Sequence, residues 1–470
     1  MHDAIVVGSG PNGLAAAITL AQSGLSVIIF EAKSTVGGGM RSAALTLPGF
    51  THDICSAIHP LGIGSPFFRT LPLNQYGLEW IQPTSPLAHP FDDGSVAMLE
   101  RSIDATSLNL GRDAITYKNL MEPFVKNWNQ LANDLLGPLH LPQHPIMMAR
   151  FGIVAIRSAQ GLSNSLFKGE QARSLFAGLA AHSMMPLDKL LTAAFGLVLG
   201  TLGHAVGWPL SKGGSQKIAD ALVSYFYSLG GKIYTDVPIE SIHDLPPARV
   251  VLFDVTPQQL LKIMGDRFSS SYKDKLKNYR YGPGVCKIDW ALNSPIPWKA
   301  KECAQAGTIH IGGTAEEIVT SEHEVWEKKH PQKPYIIMAQ PSLFDQTRAP
   351  QGKHTAWGYC HVPNGSQIDM TEKIEAQIER FAPGFKDCII AKHTKTASDL
   401  EKYNANYVGG DINGGVGDFD QFFKRPTSWF NPYSLPIKGF YICSSSTPPG
   451  GGVHGMCGYH AASAALKECF

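Results

Sequence analysis

A short apolar run, a glycine-rich turn, an alanine-rich helix and a second apolar run follow one another at the start of the sequence. The runs at 4–7 and Val27–Phe30 are typical of strands buried on both faces of a parallel sheet. The turn between them reads Gly-Ser-Gly-Pro-Asn-Gly at positions 8–13, and the helix predicted for 14–22 ends before Gly24. This order predicts a βαβ unit that binds a dinucleotide.

The turn residues fit that role individually. Gly8 permits the tight turn, Gly10 lets a pyrophosphate approach the backbone, and Gly13 lets the helix pack closely on the strand. Pro11 and Asn12 belong to the same turn and are assigned to the cofactor site, and the helix that follows directs its N-terminal amides and positive dipole end toward the phosphates. A glycine-rich turn in an ordinary βαβ unit is the alternative, and it explains the register of strand, glycines, helix and strand less well.

An acidic residue ends the second strand at the position that selects the nucleotide. Glu31 stands eighteen residues after Gly13 and is followed by Ala32. A carboxylate there accepts hydrogen bonds from a ribose diol and disfavours a 2′-phosphate. The first motif therefore predicts NAD or FAD and does not separate the two.

A second glycine run distinguishes FAD from NAD. Gly38, Gly39, Met40 and Arg41 follow Glu31 closely, where a simple dehydrogenase would begin another helix. A flexible loop with an arginine suits contact with a longer cofactor that extends from pyrophosphate to flavin. FAD is the cofactor predicted, with a plain surface loop as the alternative.

The C-terminus supplies a third cofactor segment. Residues 440–443 predict a strand, a Ser/Pro/Gly loop follows, and an alanine-rich helix begins near 453. Serine hydroxyls and backbone amides in such a loop suit a ribityl chain and a reduced flavin ring. The residues assigned this role are Ser444, Ser445, Gly452, Val453 and His454. A structural cap before a docking helix accounts for the loop equally well.

In these three stretches and two others, the sequence resembles the phytoene desaturase-like family of FAD-dependent oxidoreductases, within the wider flavin amine oxidase fold. "GSGPNGLAAA", "VGGGMRSA", "WPLSKGGSQKIADAL", "GGKIYTDVPIESI" and "SSTPPGGGVHGMCGYHAA" carry the resemblance. It implies an α/β fold, in which a Rossmann-like FAD-binding domain of the glutathione reductase type holds an inserted α+β substrate domain. It also implies that Val237 to Ile239 lie against the adenine. Where many relatives have Gly-Asp after the last strand, this chain has serines.

The resemblance implies a discontinuous domain layout. The FAD-binding domain is assigned to 1–70, 206–275 and 421–470, and the substrate domain to 71–205 and 276–420. The residue pattern agrees, since the middle FAD segment predicts a helix and three strands. These elements are the helix 216–227 and strands 232–235, 239–242 and 250–254.

Flavin performs the difficult step in such enzymes, so the sequence needs no nucleophile or metal motif of its own. Histidines near the cofactor are the weak catalytic candidates, as hydrogen-bond donors or proton acceptors: His454, His460 and His59. A satisfied structural histidine is the alternative for each. His52 and Asp53 are expected near the cofactor edge, and Cys457 raises the lesser alternative of a covalent flavin.

Composition excludes several classes of protein. A formal net charge of +1 over 470 residues gives no sign of a nucleic-acid partner, and eight scattered cysteines show no metal-ligand spacing. The first strand begins at once without a secretory signal, so a cytoplasmic location is expected. The apolar stretch 187–206 is interpreted as a buried helix, with peripheral membrane contact or, less favoured, a transmembrane helix as alternatives.

Three functions remain open from the sequence. The first is a dehydrogenase or desaturase that takes hydride from a hydrophobic, isoprenoid-like small molecule. The second is a flavin amine oxidase that uses oxygen, and the third is a flavin-bound protein at a membrane with little turnover. Trp208, Trp357, Tyr359 and Phe422, together with the run 407–415, would suit an apolar pocket, although each also suits an ordinary core or turn.

Overall fold

The computed structural model describes residues 2–428 and 430–470. The strands of the described chain are β1 His2–Val7, β2 Val27–Phe30, β3 Ser42–Ala43, β4 His52–Asp53, β5 Trp80–Ile81, β6 Ser85–Pro90, β7 Val96–Leu99, β8 Leu210–Ser211, β9 Lys232–Tyr234, β10 Ala248–Phe253, β11 Gly284–Leu292, β12 Ala306–Ile311, β13 Ile336–Ala339, β14 His354–Val362, β15 Ile389–Lys395 and β16 Phe440–Ile442.

Its α-helices are α1 Pro11–Gln22, α2 Pro60–Gly64, α3 Ile103–Asn109, α4 Ala114–Lys126, α5 Trp128–Leu135, α6 Pro145–Ala155, α7 Ala159–Leu166, α8 Glu170–Ala181, α9 Thr192–Ala205, α10 Gln216–Ser228, α11 Pro257–Met264, α12 Ser270–Lys277, α13 Ala315–Trp326, α14 Thr371–Phe381, α15 Ala397–Tyr403, α16 Phe419–Phe422 and α17 Met456–Cys469.

A five-stranded parallel sheet carries the glycine-rich turn. Its order is β16-β10-β1-β2-β9, so β1 lies in the middle, with Ala4 opposite Val250 on one side and Val27 on the other. The strands of this sheet come from stretches far apart in sequence, between residues 2 and 30, 232 and 253, and 440 and 442. Parallel strands place their carboxyl ends at one edge, where a ligand binds in such folds.

Helices α1 and α17 pack against each other across one face of this sheet. They approach so closely that a Cβ on Gly458 would lie 1.8 Å from the backbone oxygen of Asn12. Gly13 is equally confined, because its Cβ would lie 2.1 Å from the oxygen of Gly8. The two ends of the chain are thus joined at the turn that begins α1.

A second, mixed sheet forms the other half of the molecule. Its order is β15-β11-β14-β13-β12-β6-β7; β12 pairs parallel with β6, and the other neighbouring strands are antiparallel. One face packs against α14 in a separate apolar core, and the opposite face turns toward the helical layer that contains α8 and α9. The fold is therefore a parallel α/β unit beside an α+β unit.

A buried cation links the two halves. The Arg348 side chain is fully buried and pairs with Asp53 in β4 at 2.6 Å and with Asp345 at 3.1 Å. Asp345 also accepts the N–H of Gly213, just before α10, at 2.7 Å. Because both carboxylates share one guanidinium, the loops that lead into the cofactor sheet are fixed to the second sheet.

Several sequence expectations are met, with boundary shifts. The α/β fold class is confirmed, and the strands expected at 4–7 and 250–254 appear as β1 and β10. The final helix begins at Met456 rather than near 453, because Gly455 lies in a left-handed conformation (φ 69°) that a helix interior does not use. The strand expected at 239–242 is wrong: β9 ends at Tyr234 and the chain continues as irregular structure, with a short 3₁₀ turn at Ile242–Asp244.

The apolar stretch 187–206 contains α9, Thr192–Ala205, whose buried residues face α8 and α4. Within residues 2–428 and 430–470, no helix is both long enough and apolar enough to cross a bilayer.

Candidate cofactor and substrate site

One continuous cavity of about 1250 Å³ connects the two sheets. It starts at the carboxyl edge of the parallel sheet, beside the turn after β1, and extends to the face of the mixed sheet between α6 and α9. Pockets for a single small ligand usually measure ~300–1,000 Å³. The cavity therefore has room for a dinucleotide and a second molecule.

The predicted cofactor residues gather at one end of this cavity. Those in its wall are Gly8, Gly10, Pro11, Asn12, Glu31, Ala32, Gly38, Gly39, Arg41, Val237, Ile239, Ser444, Ser445, Gly452, Val453 and His454. Gly13 and Met40 lie behind the wall: the Gly13 amide bonds a neighbouring carboxylate, and Met40 is fully buried in the apolar core. Segments separated by more than 400 residues meet here, with the Asn12 amide 3.4 Å from the Ser445 hydroxyl.

Asp254 is a functional candidate that the sequence analysis missed. It follows β10 directly, and its Oδ2 accepts the N–H of Gly13 at 2.9 Å, at the N-terminus of α1. Burial, with the nearby Glu31 carboxylate, raises the pKa of Asp254 to about 7, against the opposing effect of the Gly13 amide. The signal was an acidic residue directly after a buried strand, at the edge where ligands bind.

Glu31 organises the nucleotide loops. Its Oε2 accepts the amide and hydroxyl of Ser9 at 2.9 and 2.5 Å, and its Oε1 accepts the Lys33 amide at 2.9 Å and Arg41 at 3.1 Å. Four donors occupy the roughly four acceptor positions of a carboxylate. A ribose hydroxyl would bond here by replacing the Ser9 hydroxyl, which is the donor that can rotate away.

The residues present fit FAD. A Cβ on Gly10 would lie 2.6 Å from Asp254 Oδ2, so the turn can lie this close to the Asp254 carboxyl only because the position is glycine. Asn12 Oδ1 is buried and, within the described chain, has no hydrogen-bond partner. Arg41 is held by the Thr35 carbonyl and by Glu31, which fixes the second glycine loop beside the first. Such a cradle of amides and polar side chains suits a pyrophosphate and its sugars.

The other end of the cavity is mainly apolar. Helices α6 and α9 contribute much of its wall, and the mixed sheet closes it. All four aromatic residues singled out from the sequence line it, Trp208, Trp357, Tyr359 and Phe422, and so do Tyr407 and Asn413 of the polar run. The polar members of this part of the wall include His182 and Thr308, which the sequence analysis did not identify.

The histidine candidates occupy different places. His454 lines the cofactor end, where its Nδ1 accepts the Met456 amide at 3.0 Å, and burial lowers its pKa to about 4. His460 lies outside the cavity wall and donates to the Leu136 carbonyl at 3.1 Å. Cys457 is also outside the wall, with its thiol near the Thr447 and Gly450 carbonyls, and burial raises its pKa to about 11.

His59 lines the cavity between its two ends. The Ser215 hydroxyl donates its proton to the Ser56 carbonyl at 2.7 Å, so it accepts from His59 Nε2 at 2.8 Å. This fixes the Nε2–H tautomer and leaves Nδ1 with a lone pair. Burial lowers the pKa of His59 to about 4, so the ring is neutral at pH 7.

His52 and Asp53 belong to a buried ionic cluster behind the wall. Asp53 pairs with Arg348, and His52 Nδ1 lies 3.7 Å from Asp289, which in turn pairs with Lys287. This cluster pairs residues almost 300 positions apart, which no local motif in the sequence could indicate.

Comparison with known proteins agrees with this geometry. Residues 6–71 match the model of an NAD(P)-binding Rossmann-like domain. "Pyridine nucleotide-disulfide oxidoreductase domain-containing protein 2" of Mus musculus is 24% identical over 99% of this chain and 94% of its own. "Phytoene desaturase (neurosporene-forming)" of Rhodobacter capsulatus is 24% identical over 97% of this chain and 92% of its own.

Solved structures share the fold at low identity. An oxidoreductase from Methanosarcina mazei superposes with a TM-score of 0.67 at 15% identity, over 99% of this chain and 100% of its own. A triple mutant of putrescine oxidase superposes with a TM-score of 0.64 at 16% identity, over 99% of both chains.

The fold is that of the oxidoreductase and the amine oxidase superposed here, and the site is a dinucleotide-type cradle that opens into an apolar compartment. Along nearly its whole length the chain is similar to phytoene desaturases and to a diapolycopenal dehydrogenase.

We expect Gly10→Val to abolish flavin retention, because its side chain must enter the space between the turn and Asp254 Oδ2. The measurement is the ratio of flavin absorption to protein absorption after purification, with circular dichroism to check folding. Gly265→Val is the control, since a Cβ there meets nothing within 4 Å. A folded Gly10→Val protein with stoichiometric flavin would show that the cofactor lies elsewhere.

We expect FAD affinity to decrease as pH rises through about 7, where Asp254 ionises. The anionic pyrophosphate prefers the protonated carboxyl, so the dissociation constant rises up to about tenfold per pH unit above this pKa. Asp254→Asn keeps an acceptor for the Gly13 amide and should bind FAD independently of pH between about 6 and 9. Fluorescence titration of flavin-free protein measures both, with the exposed Asp266→Asn as control. The same pH slope in Asp254→Asn would assign the titration to another group.

Proposed function

We propose that this oxidoreductase takes hydride from a hydrophobic, isoprenoid-like small molecule and passes it to FAD. The observation that carries the proposal is the single cavity, which joins the dinucleotide loops to an apolar compartment. A substrate in that compartment would lie beside the flavin end of the cofactor. The names of relatives add support, since they include a phytoene desaturase and "4,4'-diapolycopen-4-al dehydrogenase" of Metabacillus indicus.

FAD, when bound, supplies an acceptor for two electrons and a proton. The chain's own residues then have three tasks. Met148, Phe151 and Phe195 exclude water and align an apolar skeleton. The Ser215 hydroxyl orients the His59 ring, which stays neutral in the wall between the two ends of the cavity.

An amine substrate is the second candidate, because putrescine oxidase shares the fold. A protonated amine needs a free carboxylate, and among the described lining residues the apolar end offers Asp134 alone. Its two oxygens already accept the amides of Gln143 and His144, and they also contact the rings of His140 and His144. These contacts favour a neutral substrate over a cationic one.

We also propose that the entrance of the apolar compartment rests on a lipid surface. Near α6 lies an apolar patch of five exposed side chains: Leu139, Leu141, Ile146, Ile153 and Leu190. The same helix turns Met148 and Phe151 into the cavity, and Arg150 is exposed between the apolar residues of the patch. An exposed apolar surface with a basic residue suits the interface of a membrane that stores apolar substrates.

We expect long-chain isoprenoids to bleach the flavin band under anaerobic conditions and amines such as putrescine to leave it unchanged. Stopped-flow absorption of the flavin-loaded protein measures both. Bleaching by amines with release of peroxide would favour the amine oxidase instead. A flavin that no substrate class bleaches would favour the binding protein with little turnover.

We expect the double variant Leu141→Glu, Ile146→Glu to lose at least about tenfold in affinity for anionic phospholipid vesicles, because two apolar side chains become charged. Co-sedimentation with vesicles measures this. Leu108→Glu is the matched control, since Leu108 is 80% exposed on α3, outside the patch. Equal vesicle binding by the double variant and by wild type would remove the membrane proposal and leave the chemistry untouched.

A further inference from the structure

The loop 411–415 of the mixed-sheet half lies directly on the Ser/Pro/Gly loop after β16, which the sequence analysis assigns to the flavin. A Cβ on Gly414 would lie 2.9 Å from the Ser445 Cβ. A Cβ on Gly451 would lie 2.9 Å from the Asn413 carbonyl oxygen and 3.2 Å from the Asn413 side-chain Oδ1. All four residues line the cavity. The loop therefore carries one polar side chain, that of Asn413, to the place where the apolar compartment meets the flavin end.

Buried hydrogen bonds fix the main chain on both sides of this side chain. The Asp411 carboxylate, itself buried, accepts the Asn413 N–H at 2.7 Å. The buried Arg425 guanidinium donates to the Gly414 carbonyl at 3.1 Å and to the Ser445 carbonyl at 3.1 Å. One cation thus joins the two loops, and the Asn413 side chain projects from backbone that is already ordered.

The Asn413 amide is free and accessible. The residue is partly exposed in the cavity wall, and neither its Oδ1 nor its Nδ2 bonds to any residue among 2–428 and 430–470. Neither atom is buried, unlike the unpaired Oδ1 of Asn12. The other asparagines of the wall, Asn12, Asn404 and Asn406, each bond to another residue of the chain. A ligand in the cavity can therefore reach the Asn413 amide.

The flavin ring has the polar groups that suit a free amide. Its pyrimidine ring carries two carbonyl oxygens and ring nitrogens that accept hydrogen bonds, and the amide of an asparagine offers two donors. A hydrocarbon skeleton in the apolar compartment offers no acceptor. The position beside Gly451 and the chemistry of the amide both indicate a contact with the cofactor.

We propose that the Asn413 amide donates a hydrogen bond to the pyrimidine ring of the flavin and so raises the reduction potential of bound FAD. This inference rests on the proposed function, which places the ring where the cofactor end meets the apolar compartment. Uptake of two electrons and one proton from the substrate C–H bond gives the reduced ring one additional negative charge. A hydrogen bond to a charged acceptor is about twice as strong as one to a neutral acceptor. Asn413 therefore stabilises reduced FAD more than oxidised FAD, which favours removal of hydride from an apolar molecule.

The test is the midpoint potential of the flavin-loaded protein at pH 8, measured against reference dyes without substrate. Asn413→Leu removes both amide atoms at similar size. We expect reduced FAD to bind about tenfold more weakly relative to oxidised FAD, which for a two-electron couple is a potential about 30 mV lower. Asn413→Asp has the same shape, and its ionised carboxylate should lower the potential further because it repels the reduced ring.

Two further variants serve as controls. Asn413→Gln keeps the donor on a longer side chain and should recover part of the lost potential. Asn164→Leu should leave the potential unchanged, because Asn164 is exposed on α7 and lies outside the cavity wall. The ratio of flavin to protein and the circular dichroism spectrum of each variant show whether it is folded and loaded.

Three results would overturn the inference. The first is an unchanged or higher potential in Asn413→Leu and Asn413→Asp with FAD still bound. The second is an unchanged potential with weaker binding of a long-chain isoprenoid, which would assign the amide to the substrate. The third is loss of FAD from all three Asn413 variants, which would assign the residue a structural role.

The proposed function has a separate fate, because no substrate is present in this measurement. A lower potential in the variants would keep the inference even if no isoprenoid bleached the flavin. Bleaching by isoprenoids with equal potentials in wild type and variants would keep the function and remove the inference.

Discussion

The position of helix α1 is the constraint on which the site depends. Its first turn lies between the carboxyl ends of β1, β2 and β10, and α17 contacts it so closely that only glycine fits at 458. Because three distant stretches of chain meet at this turn, the amides at the start of α1 are fixed before any ligand arrives. Preorganised amides at a helix N-terminus bind an anion without further ordering of the backbone.

The mixed sheet closes the substrate end of the cavity that begins at this turn. Arg348 joins the loops below the cofactor sheet to the mixed sheet, and one cavity spans the junction. A nucleotide fold alone allows many reactions, so the function is argued from the site. Here the apolar compartment and the satisfied Asp134 together favour a neutral, hydrophobic substrate. The neutral His59 completes a wall in which charge is paired or absent near the expected reaction centre.

Local signals explain why the glycine-rich turn after β1 and its strands could be predicted from the sequence. The turn at 8–13 and the run through Arg41 have fixed geometry that glycine spacing encodes directly. Non-local pairing explains what the sequence could not indicate. Lys287 meets Asp289, and Trp357 and Thr308 come into one row, only through strand registers across the mixed sheet. Asp254 could have been identified from the sequence, because it is an acidic residue directly after a buried strand. The position of His460 outside the cavity wall could not, because it depends on a contact with the Leu136 carbonyl, 324 residues away.

The central claim is that cofactor and substrate share one continuous cavity. The most direct measurement is the difference absorption spectrum of the oxidised, flavin-loaded protein during anaerobic titration with a saturated isoprenoid methyl ether, read before any bleaching. The account predicts a saturable shift of the flavin band that follows ligand occupancy measured by equilibrium dialysis, because the ligand changes the surroundings of the ring. Saturating occupancy with an unchanged flavin band would place the two sites apart and contradict the account.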